Sequence, residues 1–253
     1  MEYNLNNKIV QRRTKDVYED NGKTIKLFVE NYSKADILNE ALNQTRVEEA
    51  TDIYMPKLLE VTKIGNRWAL VSEYVEGTPL DVLMEQNPEK MDEYLNKFID
   101  IQLTILSKQV PLLNRIKEKY RRKINECSMF NDNIKYELLQ RLEGMKNHTK
   151  LCHGDFNPSN IIINEKGEYY VIDWSHATQG NASADVARTF LIFSMHGKKE
   201  LAEKYLDLFA EKSGIEKTYI QRWIPIVAAA QMSKGRPEEQ EFLHQWVDIL
   251  DYE

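Results

Sequence analysis

The chain has 253 residues, of which 42% are hydrophobic and 29% are charged, as is typical of soluble globular proteins. Its length corresponds to one large domain or two small lobes. The net charge of −6 argues against a general nucleic-acid-binding surface. No apolar run is long enough to span a bilayer, the first eight residues lack a signal peptide's apolar core, and Cys127 and Cys152 are too few for a disulfide framework. We therefore expect a cytoplasmic monomer or homodimer without nucleic-acid or membrane partners.

The first part of the chain is predicted to form strands with one long helix. Asn21-Gly22 indicates a hairpin, because both positions accept a positive φ. Ser33 is a candidate N-cap for a helix that ends near Ala50. The result is a small antiparallel sheet with a helix after its third strand. The predicted strands are residues 8–11, 17–20, 24–29, 58–62 and 68–74.

From Thr78 onward the pattern is mainly helical. Two short strands, 161–163 and 169–172, interrupt the helices. Pro225 is predicted to kink the helix that contains it, because proline removes a backbone donor. The predicted helices are residues 80–85, 91–106, 112–127, 133–146, 185–195, 198–212, 216–232 and 238–250.

The most informative stretch is 151–174, which contains Asp155, Asn160 and Asp173 in the order that phosphoryl transfer from a nucleotide requires. Such a transfer needs an in-line hydroxyl, a group that takes its proton, and cations that hold the phosphates. Mg²⁺ prefers oxygen ligands, so Asp173 and Asn160 are candidate metal ligands. Asp155 is the candidate proton acceptor. Each residue alone could be a turn or cap residue; their joint spacing favours the catalytic interpretation.

His153 to Asn160 have the H-x-D-x-x-x-x-N spacing of protein kinases, but Gly154 replaces the usual arginine and Asp173-Trp174 replaces D-F-G. His-Gly-Asp, then Asn, then Ile-Asp-Trp, then Asp185-Val-Ala resembles the aminoglycoside phosphotransferase and choline kinase family of small-molecule kinases. The resemblance implies an α+β, bilobal protein-kinase-like fold. It also implies a nucleotide-binding lobe at 1–75, with a hinge at about 72–77, and a larger, mainly helical catalytic lobe at 76–253.

The resemblance also implies the nucleotide site. Lys26 would be the third-strand lysine that contacts the α- and β-phosphates, and Glu40 its ion-pair partner. The alternative is an exposed strand lysine. Backbone groups near Ser72, Glu73 and Tyr74 would bond the base, and Ile162 and Ile172 would lie under it. The implied cofactors are ATP or GTP with Mg²⁺.

Two further residues have supporting roles in the family. His153 would support the catalytic loop, and Asp185 would accept hydrogen bonds from that loop's backbone. The sequence departs from kinases at residues 11–16, where the phosphate-covering loop has no glycine. Thr14 or Lys15 would then do the work of glycine amides, unless the basic residues there are simply solvated.

The expected acceptor is a small molecule with a hydroxyl group, such as an aminoglycoside, a choline-like amino alcohol or a sugar. A cationic acceptor is one option, with Glu238, Glu239 and Asp248 as candidate partners or as ordinary surface acids. A non-catalytic nucleotide-binding regulator on the same fold is the alternative function. A protein kinase is disfavoured because Asp173 and Asp185 are only twelve residues apart, too close for an activation segment.

Overall fold

The computed structural model describes residues 3–247. These residues form two compact units. The first holds residues up to Glu89 together with Pro158–His176, and the second holds Lys90–Asn157 and the residues from Ala177 onward. The division into functional lobes at residues 75 and 76 stays a prediction.

The strands are β1 (Asn7–Gln11), β2 (Lys15–Asp20), β3 (Lys23–Phe28), β4 (Leu58–Ile64), β5 (Arg67–Glu73), β6 (Thr78–Pro79), β7 (Lys150–Cys152), β8 (Ile161–Ile163), β9 (Tyr169–Val171) and β10 (Thr178–Gly180). The helices are α1 (Lys34–Ala50), α2 (Leu80–Gln86), α3 (Met91–Ser107), α4 (Ile116–Glu126), α5 (Asp132–Gly144), α6 (Ala182–Met195), α7 (Lys199–Ser213), α8 (Lys217–Gln221), α9 (Ile224–Met232) and α10 (Pro237–Val247).

The first unit is built on a five-stranded antiparallel sheet in the order β1-β2-β3-β5-β4. Alternating side chains fill opposite faces of the sheet, so that Ile25 and Leu27 pack with Val71 on one face. Phe28 and Leu70 pack against Ile37 of α1 on the other. The side chain of Ser33 accepts a hydrogen bond from the N–H of Asp36, which caps α1 as its sequence predicts.

A second, three-stranded sheet in the order β6-β8-β9 completes the first unit. Gly77 precedes this sheet with φ +152°, and a Cβ atom there would lie 2.5 Å from the carbonyl oxygen of Ile163. Only glycine fits this close approach without a shift of the backbone. The pairing of β8 with β9 brings Ile161 opposite Val171, which sets the ends of both strands side by side.

The second unit is mainly helical. Its central helices α6 and α9 pack on each other and are buried along almost their whole length, as expected for helices that are apolar on nearly all sides. Phe98 of α3 lies in the core, with its ring stacked 4.4 Å from that of Phe156. Cys152 is fully buried, as predicted for a small core residue, and burial raises the pKa of its thiol.

Two predicted helices differ from the observed ones, and three short strands were not predicted. The helix expected at 112–127 begins only at Ile116, because the side chain of Gln179 donates to the carbonyls of Pro111 and Leu113 and so holds this segment as a loop. The helix expected at 216–232 is broken into α8 and α9, with Pro225 in the first turn of the second. The unpredicted strands are β6, which pairs with β8, and β7 and β10, which pair with each other. The predicted end at residue 250 lies outside the described residues.

The predicted fold class is confirmed: an antiparallel-sheet unit with one long helix is followed by a mainly helical unit. Within residues 3–247, no helix has both the length and the apolar character needed to cross a membrane.

Candidate active site

Four charged side chains of the first unit form a lysine–carboxylate cluster, consisting of Lys15, Lys26, Glu40 and Asp173. Lys26 Nζ lies 2.8 Å from Glu40 Oε1 and 3.4 Å from Asp173 Oδ1. Lys15 Nζ lies 3.5 Å from Glu40 Oε1 and 3.3 Å from Asp173 Oδ2. Two ammonium groups thus share two carboxylates.

The sheet and α1 bring these four residues together. Lys26 lies between Ile25 and Leu27, whose side chains point into the core, so its own side chain projects from the opposite face of β3. On α1, Asn43 donates to the carbonyl of Ser175, which ties the helix to the turn after Asp173. Glu40, one turn earlier on the helix, is therefore buried beside Lys26.

The charges in the cluster support one another. Burial alone would lower the pKa of Lys26, but Asp173 and Glu40 raise it above its usual range. Burial would raise the pKa of Asp173, but Lys26 and Lys15 hold it well below its usual range. Asp173 is therefore a carboxylate at neutral pH, as a metal ligand must be.

The backbone of Asp173 adopts a left-handed conformation with φ +63°, which is uncommon for a residue other than glycine and concentrates at functional sites. Its Oδ1 atom is buried and accepts no hydrogen bond from the described residues. The N–H of Ile172 donates to the carbonyl of Asn160 at 2.9 Å, so the second metal candidate lies on the neighbouring strand end.

The donor set suits magnesium. A carboxylate oxygen without a hydrogen bond and a nearby amide are hard oxygen ligands, and Mg²⁺ bound with a nucleotide takes its other ligands from phosphate and water. Among residues 3–247 no group of three or more His, Cys, Asp or Glu could hold a metal ion.

The segment predicted to bond the base follows directly from the sheet. Ser72 is buried in β5 between Thr24 and Leu58. The N–H of Glu73 donates to Lys57 and that of Tyr74 donates to Gly22, at 3.0 and 2.9 Å. These two amides are used within the protein, so a base would bond to carbonyls of this segment or to backbone beyond Tyr74. Ile162 lies in β8, at 9% exposure, and Ile172 follows β9, half-buried.

The second unit carries the predicted catalytic loop. Asp185 is 1% exposed, and its Oδ1 accepts a hydrogen bond of 2.6 Å from the N–H of Gly154. Gln102 donates to its other oxygen at 3.4 Å. Burial raises the pKa of Asp185, and the Gly154 N–H opposes that shift. His153 is fully buried, and its Nδ1 accepts from the N–H of Asp155. Both supporting residues therefore bond to the loop backbone.

Asp155 itself is held by a residue that the sequence did not single out. Arg188 Nη2 donates to Asp155 Oδ1 at 3.1 Å. Arg188 lies on α6, one turn after Asp185, so one helix holds both the loop's backbone and its carboxylate. The hydroxyl of Thr189 donates to the carbonyl of Phe156 and fixes the loop again. The signal for Arg188 was present in the Asp-Val-Ala-Arg run, but nothing in it showed which side chain would meet Asp155.

Comparisons with known proteins agree with this geometry. The phosphotransferase enzyme family (APH) matches residues 24–219, more than half of the chain. The chain is 25% identical over 190 residues to the protein LicA homolog of Mycoplasma capricolum subsp. capricolum (strain California kid), a match that covers 73% of this chain and 72% of that protein.

Solved structures resemble the fold over almost the whole chain. A thermostable mutant of the aminoglycoside phosphotransferase APH(4)-Ia, in ternary complex with ADP and hygromycin B, superposes with a TM-score of 0.69 at 12% identity and covers 95% of this chain and 89% of that one. ADP-bound aminoglycoside phosphotransferase APH(2'')-Ib gives a TM-score of 0.64 at 16% identity and covers 99% and 93%. The predicted protein-kinase-like fold and the predicted small-molecule kinase class are both confirmed. The chain belongs to the phosphotransferase enzyme family.

Proposed function

We propose that the protein transfers the γ-phosphoryl group of ATP or GTP, bound with Mg²⁺, to a hydroxyl group of a small molecule. The observation that carries the proposal is the Asp173 carboxylate, which lies between two lysines on a residue with an uncommon left-handed backbone conformation. The family relatives in complex with ADP, and with ADP and hygromycin B, support a nucleotide donor and a hydroxylated acceptor.

The lysine–carboxylate cluster is the proposed phosphate site. Lys26, oriented by Glu40, would bind the nucleotide's phosphates, and Lys15 would join it where kinases use glycine amides. Asp173 and Asn160 would hold Mg²⁺, which offsets phosphate charge when bound. Backbone groups at 72–77 would bond the base, with Ile162 and Ile172 beneath it.

Asp155 is the proposed proton acceptor. Its carboxylate has one oxygen bound to Arg188, an arrangement that fixes the direction of the other oxygen. The acceptor hydroxyl would donate to that carboxylate and lose its proton as the phosphoryl group arrives. Asp185 and His153 keep the loop backbone in place but touch neither reactant in this scheme.

The test is nucleotide consumption, measured with a panel of hydroxylated amines, sugars and aminoglycosides. Asp155→Asn is expected to lower turnover of any active acceptor by about 10²-fold or more, because the proton acceptor is lost, while nucleotide binding persists. Asp132→Asn, an exposed carboxylate on α5, is the matched control. Unchanged turnover in Asp155→Asn would remove this residue from the mechanism. Tight nucleotide binding with no turnover of any compound would favour a non-catalytic regulator.

A further inference from the structure

Three cationic side chains of the second unit interact electrostatically with Asp155. They are Lys119, Arg188 and Lys234, here called the cationic cluster. They come from separate elements: α4, α6 and the turn that follows α9. Helices α4 and α6 both pack on α9, which explains how residues so distant in sequence meet. Lys119 and Lys234 each lie within electrostatic range of Arg188 and Asp155.

The carboxylates of this region are already engaged. Asp185 is bound to the N–H of Gly154 and to Gln102. Glu239 forms an ion pair with Arg236 at 2.8 Å. Asp155 interacts electrostatically with all three cations, and Arg188 uses one nitrogen to bind it. A second guanidinium nitrogen, Nη1, is buried and has no hydrogen-bond partner among the described residues. The Arg188 side chain is only 10% exposed. Leaving one of its buried donors without a hydrogen bond therefore carries a free-energy penalty.

The cations repel one another. Burial and the charge of Arg188 lower the pKa of Lys119 to about 8, although Asp155 and Asp185 oppose the shift. Burial and Arg188 likewise lower the pKa of Lys234 to about 7, with Arg236 and Lys119 adding to the repulsion and Asp155 opposing it. The three cations thus repel one another in a partly buried region, and a bound anion would reduce that repulsion.

We propose that the acceptor molecule carries an anionic group, a carboxylate or a phosphate ester, which binds at the cationic cluster while its hydroxyl faces Asp155. This rests on the proposed function and names the substrate class for the same site. Arginine and lysine donors recognise both kinds of anion. The cluster opposes a cationic acceptor. Of the acids considered for that role, Glu239 is occupied by Arg236, Glu238 is exposed, and Asp248 lies outside the described residues.

Four three-carbon compounds isolate the effect of charge: glycerate, glycerol 3-phosphate, uncharged glycerol and cationic serinol. Binding to the nucleotide-loaded protein is measured by thermal unfolding, and turnover by release of nucleoside diphosphate. We expect glycerate, glycerol 3-phosphate or both to bind at least about tenfold more tightly than glycerol and serinol. The two anions separate a carboxylate site from a phosphate site.

The variants Lys119→Met and Lys234→Met test the assignment to the cluster. Each is expected to weaken anion binding by about tenfold or more and to raise the acceptor KM, with little change for glycerol. Arg122→Met, an exposed cation on the same helix α4, is the matched control and is expected to bind anions as the wild type does. If the lysine variants raise the nucleotide KM and leave the preference for anions intact, the cluster serves the transferred phosphate and the proposal is wrong.

The remaining outcomes separate this inference from the proposed function. Equal or better binding of glycerol or serinol would overturn the anionic acceptor while leaving the kinase intact. The absence of binding by all four compounds would also overturn it. The proposed function is tested separately, by the effect of Asp155→Asn on turnover across the wider acceptor panel and by Mg²⁺-dependent nucleotide binding, for which Asp173 but none of the cationic cluster would be needed.

Discussion

Two substitutions of Asp173 distinguish the contribution of its charge to stability from the contribution of its left-handed backbone conformation. Asp173→Asn removes the carboxylate but keeps a side chain that tolerates a left-handed φ. Lys15 and Lys26, now 3.3 and 3.4 Å from a carboxylate oxygen, would then share only Glu40. Breaking a fully buried ion pair costs about 3–5 kcal/mol. Since the Asp173 side chain is 27% exposed, we expect a loss of about 1–3 kcal/mol.

Asp173→Ala adds a second cost. At φ +63° an alanine side chain approaches the following carbonyl, which costs about 1–2 kcal/mol. For a chain of this size 1 kcal/mol corresponds to a change in Tm of about 2–4 °C. Without nucleotide, Asp173→Ala is therefore expected to melt a few degrees below Asp173→Asn, and both below the wild type.

The same melting curves report nucleotide binding. At a nucleotide concentration 100 times the Kd, the wild type gains about 2.7 kcal/mol, or roughly 5–10 °C. Both variants are expected to lose the part of this shift that EDTA abolishes in the wild type. A full Mg²⁺-dependent shift in Asp173→Asn would refute the metal role. Equal stability of the two variants would refute the backbone argument.

Three other predictions concern separate parts of the structure. Lys15→Met is expected to raise the nucleotide KM about tenfold, because a phosphate contact is lost. Arg13→Met, at an exposed neighbouring position, is expected to leave the nucleotide KM unchanged. Equal effects of the two substitutions on this KM would show that Lys15 acts only as a general surface charge. Phe98→Ala removes a buried ring stacked on Phe156 and is expected to cost about 3–5 kcal/mol in urea unfolding; a loss below about 1 kcal/mol would contradict this packing. Affinity for glycerate is expected to fall as pH rises through about 7, the pKa of Lys234, since deprotonation removes a cation from the cationic cluster; a flat profile between pH 6 and 8.5 would contradict its participation.

The elements that the sequence predicted well are those whose signals are local. The cap at Ser33, the turn at Asn21-Gly22 and the alternation in β3 depend on residues only a few positions apart. The late start of α4 could not be predicted this way. It depends on Gln179, more than sixty residues away, which bonds the carbonyls that a longer helix would have used.

The residues of the candidate site also differ in whether a local sequence signal identifies them. Asp155, Asn160 and Asp173 share one short stretch with fixed spacing, so a motif identifies them. Glu40 could not be chosen over Glu48 from the helix alone; the structure pairs Glu40 with Lys26 and turns Glu48 toward the N–H of Leu58. Arg188 and Lys119 lie on two helices and Lys234 lies in the turn after a third, so only tertiary packing shows that their charges interact.

The first compact unit is discontinuous in sequence, and this has a practical consequence for dissecting the protein. Strand β8 pairs with β6, and Asp173 pairs with Lys15 and Lys26, yet Asp173 follows Glu89 by more than eighty residues. Truncation after residue 89 would leave the edge of β6 unpaired and would remove one of the two carboxylates that Lys15 and Lys26 share. A fragment designed to keep the proposed phosphate site would therefore join residues 3–89 to residues 158–176 through a linker. The N-terminal piece alone is the wrong starting point for affinity measurements or fragment screening.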